Sequence, residues 1–387
     1  MSVSIYRCGM NRHFFMGQLR KGRDMTMNSK KAYLLLANGQ IFEGKSFGAE
    51  GTTIGEVVFT TGMVGYLETL TDPGYAGQIV IQTFPLNGNY GVNEADRVSD
   101  KCWLKGYIVR EWCEVPSNFR CNGTIDEFLK KENVIALYDI DTRALTRVIR
   151  EQGVMNGVIT TEDVYSKKDE FLAQLEANQA AKAVTTAELK EYPAENGKYN
   201  VVMVDYGERA TVIKQLNAKN CNVKVVPAEM PAEEILALNP DGILLSNGPG
   251  NPHEDAARLA QVAKLLESKK PIFGIGLGHQ LVALAKGAKV EKHKYGHRGG
   301  NQPVKDANSS RIYITSQNHG YIVLADSLDE KVAKVSYYNV NDNTCEGLVY
   351  EEIPVFTVQF YPATSGGPLN TMFLFDQFTA LMDKEGK

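Results

Sequence analysis

Cysteine is scarce and poorly spaced for either of its structural uses. The 387 residues hold six, Cys8, Cys102, Cys113, Cys121, Cys221 and Cys345, with no C-x-x-C pair among them. That spacing excludes a zinc ribbon or finger, and with no secretory leader in view it argues against a disulfide framework. The thiols read as reduced, and the expected compartment is cytoplasmic. No apolar run approaches the ~20 residues that cross a bilayer, so no membrane partner is expected. An excess of positive charge is missing too. The formal net charge is −4, and no basic run lies outside the first 31 residues, which leaves no footprint for nucleic acid. Internal repeats and low-complexity tracts are absent.

What is present is ordinary globular composition, 43% hydrophobic and 23% charged, over a length that suits two domains of roughly 150 to 200 residues. The first 24 residues carry Arg7, Arg12, Arg20, Lys21 and Arg23 against Asp24. A targeting peptide is one reading. The expectation is a disordered extension over 1–27, because Met25 and Met27 stand just before the first strand-like run, Ala32 to Leu36. From 28 to 161, short β-rich runs alternate with glycine turns, and helices are expected over Ile125 to Lys131 and from Thr142, with Leu145, Val148 and Ile149 on one face. The Ala-, Glu- and Lys-rich stretch 162–197 reads as a linking helix and a boundary. From 198 to 387 the pattern changes. Apolar strands Val201 to Val204, Val223 to Val226, Gly242 to Leu245 and Ile272 to Ile275 alternate with amphipathic helices, which predicts an α/β domain with a doubly wound, mostly parallel sheet. Its crevice belongs at the carboxyl ends of the strands, where Ser246 to Gly250 and Gly274 to Gly278 fall.

The second of these turns lacks a side chain where one is wanted. Ile272-Phe273-Gly274-Ile275-Gly276-Leu277-Gly278-His279-Gln280 has the layout of a nucleophile elbow, with a helix expected from His279. Its central residue is Gly276, which tolerates a strained backbone and has no atom with which to attack. A phosphate-cradling reading of Gly274, Gly276 and Gly278 fails on spacing, since the run is not G-x-G-x-x-G. His279, His297 and His319 lie in three separate motifs with no carboxylate at matching spacing, so satisfied polar roles are expected in place of a metal site. Arg143 and Arg147, at i and i+4, are expected to pair with Asp139 and Asp141 or to face a partner subunit.

Together these residues resemble the small, glutaminase-type subunit of glutamine-dependent carbamoyl phosphate synthetase, from about residue 30 to the C-terminus. The first half, an N-terminal mixed α/β domain, carries Phe42-Glu43-Gly44-Lys45-Ser46-Phe47-Gly48, Thr61-Gly62-Met63-Val64-Gly65-Tyr66, Asp72-Pro73-Gly74-Tyr75, Gly88-Asn89-Tyr90-Gly91 and Asp141-Thr142-Arg143-Ala144-Leu145. The second half looks like a class I glutamine amidotransferase domain through Leu245-Ser246-Asn247-Gly248-Pro249-Gly250, the elbow, Gly296-His297-Arg298-Gly299-Gly300-Asn301 and Ser316-Gln317-Asn318-His319-Gly320-Tyr321.

The resemblance implies a cysteine at the elbow, a histidine that relays protons and a glutamate that orients it. Those places hold Gly276, Tyr361 and Ala363, the last two in Gln359-Phe360-Tyr361-Pro362-Ala363. Loss of one member of such a pair costs about 10⁴ to 10⁶ in turnover, and neither Thr364 nor Ser365 has an adjacent base to replace it. By the same resemblance, residual contacts to glutamine come from Gly248, Gly250, the Leu277 amide, Gln280, Asn318, Gly320 and Tyr321. Gly74 stands where the family has a serine, and Tyr361 is expected to fill part of the pocket. Whether glutamine still binds stays open. The implied partner is a large synthetase subunit that holds ATP and Mg, with no cofactor on this chain, and either arginine or pyrimidine synthesis is the implied pathway. A small subunit without glutaminase activity is the leading reading. Its rivals are a conventional glutamine-hydrolysing subunit, a free-standing glutamine- or amide-binding module, and a decaying duplicate.

Overall fold

The computed structural model describes residues 30–177, 184–207, 209–363 and 367–385. The expected extension 1–27, Cys8, Thr364 and Ser365 lie outside them.

In the first half, strands β1 (Lys31–Leu36), β2 (Ile41–Gly48), β3 (Thr52–Thr60), β4 (Gln78–Gln82), β6 (Gly106–Ile108), β8 (Ile135–Tyr138) and β9 (Met155–Thr160) close a barrel in the order β1-β2-β8-β6-β4-β3-β9. A short parallel pair, β5 (Leu86–Asn87) and β7 (Glu111–Trp112), lies beside it. Helix α1 (Tyr66–Thr71) precedes the turn that carries Asp72. Helix α2 (Ile125–Lys131) has the expected bounds because Thr124 and Glu127 form a capping box ahead of it. Helix α3 (Thr142–Gln152) is capped by Asp141, whose Oδ1 accepts from Ala144 N at 2.9 Å. It buries Leu145 and Ile149 against the barrel and leaves Arg143, Arg147 and Arg150 in solvent.

The segment expected to link the halves divides between them. Helix α4 (Lys168–Ala177) packs Phe171 and Leu175 on Leu35 and Val158 of the barrel. Strand β10 (Lys190–Tyr192) pairs antiparallel with β12 (Cys221–Pro227) as an edge of the second sheet.

That sheet has ten strands. Five are parallel neighbours, β12, β11 (Tyr199–Asp205), β13 (Gly242–Leu245), β14 (Ile272–Ile275) and β19 (Val355–Val358). Side chains of β11 alternate between two cores. Val202 and Val204 join the helices α6 (Ala232–Ala237), α7 (Ala256–Glu267) and α8 (Leu277–Ala285). Val201 and Met203 face α5 (Ala210–Ala218) and α9 (Phe373–Glu385) on the opposite side. Helices on both faces make the sheet doubly wound, and burial on both faces explains its unbroken apolar strands. Beyond the parallel core the sheet continues through antiparallel strands β18 (Cys345–Tyr350), β16 (Ile312–Leu324), β15 (Lys289–Asp306) and β17 (Ala333–Asn339). The β15–β16 ribbon breaks register between Lys292 and His297 and between Gly299 and Gln302. Such irregularities bend a ribbon. Here the bend reaches the barrel, where Thr61 N donates to Arg298 O at 3.2 Å and Val154 N to Lys294 O at 2.9 Å.

Among the described residues the cysteines are free, and no helix is long and apolar enough to cross a membrane.

Candidate functional site

The carboxyl ends of β13 and β14 face the barrel's Asp72–Tyr75 turn, and the residues of interest meet there. Gly276 forms the elbow with φ 55° and ψ −107°, a backbone that disfavours side chains. Helix α8 begins directly after it at Leu277, two positions ahead of the expected His279. Packing restricts position 276 further. A Cβ there would sit 1.9 Å from Asn247 Oδ1 and 2.4 Å from Asn247 Cγ. The Asn247 carboxamide thus occupies the space a nucleophile would need. Its oxygen accepts from Leu277 N at 2.9 Å, and its nitrogen donates to the Tyr361 hydroxyl at 2.6 Å.

Tyr361 is buried, and its hydroxyl donates to Asp72, 3.2 Å from Oδ2 and 3.3 Å from Oδ1. The Arg209 guanidinium lies 4.1 Å from the centre of its ring, and Arg209 Nε is 3.9 Å from Asp72 Oδ1. Burial, reinforced by Asp72, pushes the phenol well above its ordinary range, so it is neutral at physiological pH and holds its proton. Asp72 also accepts from Gly74 N at 3.0 Å and Asn318 Nδ2 at 3.2 Å. A Cβ on Gly74 would lie 2.7 Å from Asn318 Nδ2 and 3.1 Å from the Tyr361 hydroxyl, which makes glycine at 74 part of the same arrangement. Ala363 is buried in the apolar cluster with Phe360 and Leu374.

Gly74, Gly248, Gly250, Leu277, Gln280, Asn318, Gly320 and Tyr321 all line one cavity of about 190 Å³ between the two halves. Tyr361 does not line it. The ring stands behind the cavity wall, beside two smaller spaces that Arg209 also borders, which corrects the expectation that it fills the pocket. The filling group is Asn247, which the sequence reading left without a role. Glu56, Gln78, Asn156, Lys292 and Arg298 also line the cavity and were missed. Lys292 reaches Glu56 across the mouth at 2.7 Å, and Gln78 Nε2 donates to Glu56 at 3.0 Å. No local motif announces these groups, because they meet only through the packing of β15 on the barrel. Gln280 is fixed by donating to Tyr321 O and Gln359 Oε1, each at 3.0 Å.

The histidines separate. His279 is fully buried away from the cavity, with Nδ1 2.7 Å from Thr357 Oγ1, and burial pushes its pKa down to about 3. His297 has carboxylate partners, both from far along the chain. Its Nε2 lies 2.8 Å from Asp342 and its Nδ1 3.3 Å from Glu346. Burial opposes its charge, but the hydrogen bonds to both acids prevail and raise the pKa to about 9. The donor atoms of His293, His297 and Asp342 cluster within 4.8 Å. However, Gly296 N donates to His293 Nδ1 at 3.0 Å, which leaves the proton of the neutral ring on Nε2, the atom facing Asp342. That Nε2 is 3.6 Å from Asp342 Oδ2, while His297 Nε2 holds the same carboxylate at 2.8 Å. His319 is buried against His297, with Nδ1 2.8 Å from Tyr321 O, and burial together with the His297 charge holds it neutral.

Arg143 and Arg147 do not take the expected partners. Asp139 pairs with Lys45 at 2.9 Å, Asp141 caps α3, and Arg147 approaches Glu151 at 3.6 Å. Arg143, Arg147 and Arg150 instead border a wide groove with Arg110 and Lys294.

Comparison with known proteins matches residues 34–159 to the carbamoyl-phosphate synthase small chain, CPSase domain, and residues 202–381 to glutamine amidotransferase class-I. The chain is 45% identical over 355 residues to a carbamoyl phosphate synthase small chain of Listeria monocytogenes serotype 4b, covering 91% of this chain and 97% of that one. It is 46% identical over 360 residues to one of Fusobacterium nucleatum subsp. nucleatum, covering 92% and 99%. It is 45% identical over 366 residues to the carbamoyl phosphate synthase pyrimidine-specific small chain of Bacillus subtilis, covering 92% and 98%. With both halves matched in order and at these identities, the chain belongs to the carbamoyl phosphate synthase small chain family.

Proposed function

We propose that this chain is a carbamoyl phosphate synthase small subunit that supports synthesis without hydrolysing glutamine itself. The observation that carries the reading is the elbow: Gly276 has no nucleophile, and Asn247 stands in its place. Covalent amide hydrolysis needs a nucleophile, a base to activate it and an acid to protonate departing ammonia. At the base position Tyr361 is a neutral phenol that keeps its proton and donates a hydrogen bond to Asp72. At the third position the Ala363 methyl can neither donate nor accept a hydrogen bond. Losses of this kind are not additive, and the first alone removes roughly 5 to 8 kcal/mol of transition-state stabilisation.

The role that remains is structural or regulatory, as partner to a large subunit that binds ATP and magnesium. Such a complex draws on free ammonia. The test is carbamoyl phosphate formation by the two chains together, with glutamine or an ammonium salt as nitrogen donor at matched ATP and bicarbonate. Synthesis from ammonium alone is the expected result. Synthesis from glutamine at a comparable rate would sink the reading.

A second reading, stoichiometric binding of glutamine or a related amino acid without turnover, draws on the cavity itself, which keeps an open volume beside Gly248, Gly250 and Gly320.

A further inference from the structure

The group that fills the elbow is a carboxamide, the same functional group as the side chain of glutamine. Its oxygen takes the N–H of Leu277, the amide that follows the elbow, at 2.9 Å, and its NH₂ points at Tyr361, 2.6 Å away. Asn247 is buried, and both ends of its amide are satisfied. A glutamine entering the cavity from the Gly248–Tyr321 side would present its own amide to this spot and find the Leu277 donor already taken. We propose that Asn247 is an internal carboxamide plug, a residue that occupies the reactive-amide end of the cavity and sets its ligand selectivity by side-chain length. The inference rests on the glutamine-site reading above.

Glycine at 276 is what admits the plug, since any Cβ there would collide with it. Tyr361 anchors it from the far side, and Asp72 anchors Tyr361. The free part of the cavity, about 190 Å³, keeps Gln280, Asn318 and the backbone of Gly248 and Gly320. It therefore takes the α-amino and α-carboxylate groups of an amino acid with a short side chain, and rejects the terminal amide of glutamine.

The experiment is calorimetric titration of the full chain and of Asn247→Ala with L-glutamine and, separately, with L-2-aminobutyrate, whose side chain stops short of the plug. Removing the plug frees the Leu277 N–H for the ligand, a single well-placed hydrogen bond that converts to about tenfold in affinity. Glutamine binding is expected to tighten about tenfold in the variant, while aminobutyrate binding stays within twofold. Asn247→Ser, which also lacks the amide, is the second variant and is expected to behave alike should the alanine protein fold poorly. Equal glutamine affinity with and without the plug, or silence in all of these proteins, overturns the proposal. So does an equal gain for both ligands. Glutamate release is followed in the same samples. Hydrolysis by the unmodified chain defeats the proposed function, whereas unchanged affinities without hydrolysis defeat the plug alone.

Discussion

The two ends of the interdomain cavity have different contents. At the Gly248, Gly250 and Gly320 end glycines bring backbone to the cavity wall beside the polar side chains of the mouth, the volume is open, and Gln280 is held by two acceptors. At the Gly276 end side chains have closed in, with Asn247, Tyr361, Asp72 and Arg209 forming one buried chain of contacts across the two halves. Backbone contacts depend on the fold, so they persist while the sheet and its turns persist. Side-chain chemistry depends on single residues. Where a position carries no side chain, close packing favours a neighbour that fills the volume, and at Gly276 that neighbour is Asn247. The Gly276 end is packed as a strut, and the other end is shaped as a pocket.

The largest expected effect tests whether the strut alone blocks catalysis. Gly276→Cys by itself is expected to leave glutamine hydrolysis undetectable, because no base stands beside it. The combination Gly276→Cys, Tyr361→His and Ala363→Glu is expected to exceed it by about 10³-fold or more, read as glutamate release. Appreciable turnover by the single variant would mean that the two ends have not diverged as described.

Next in size is the response of the fold. Gly276→Ala places a Cβ 1.9 Å from Asn247 Oδ1 at φ 55°. Strain and overpacking together are expected to cost roughly 2 to 4 kcal/mol in urea unfolding. Adding Asn247→Gly should recover at least half of it. Tyr361→Phe removes the hydroxyl that links Asn247 to Asp72 and is expected to cost about 1 to 3 kcal/mol, the range for stranding buried polar groups. No recovery in the first pair, or no loss in the second, would show that the strut is a passive filling.

A pH experiment probes a residue outside both ends. His279 titrates near 6.5 in the unfolded chain, and burial depresses it to about 3 in the fold. Below pH 6.5 the unfolded state binds the extra proton and the native state does not. Stability is therefore lost as pH falls from about 6.5 towards 3, at up to about 1.4 kcal/mol per pH unit from this group. His297 acts in the opposite window. Its raised pKa of about 9 gives stability that is complete below about 6.5 and is lost as pH rises through 9. Thermal melts of His279→Gln should show a shallower acid limb and an unchanged alkaline one.

Much of this architecture is legible without coordinates. The helices at Ile125 to Lys131 and from Thr142 show in their apolar faces, and apolar strands flanked by amphipathic helices give the parallel core. The antiparallel half of the sheet is harder to read. Strand β15 mixes Lys, His, Gly and Arg at positions where a sheet usually alternates, because one ribbon serves the sheet and the barrel in turn. The partners of His297 are hidden by distance, since Asp342 comes from the turn after β17 and Glu346 from β18. Asn247 could not be read at all. Its identity is visible in the Leu245 to Gly250 motif, but its contact follows from a void at Gly276, and voids belong to packing.

The smallest prediction concerns the mouth of the open end. Lys292 and Glu56 join the two halves there at 2.7 Å, with 49% and 25% of their side chains exposed. Exposed pairs contribute about 0 to 1 kcal/mol, because water and salt screen them. Glu56 retains Gln78 when the lysine is removed, so no buried charge is stranded. Lys292→Met is expected to change stability by less than about 1 kcal/mol and to lose even that effect in high salt. Asp72→Ala, at the closed end, takes the carboxylate from the buried Arg209 guanidinium and strands Asn318 and Tyr361, for which about 3 to 5 kcal/mol is the expected range. Unfolding measured side by side decides the comparison. Similar losses would make the mouth a second strut, and the cavity would then be a sealed interface between the halves.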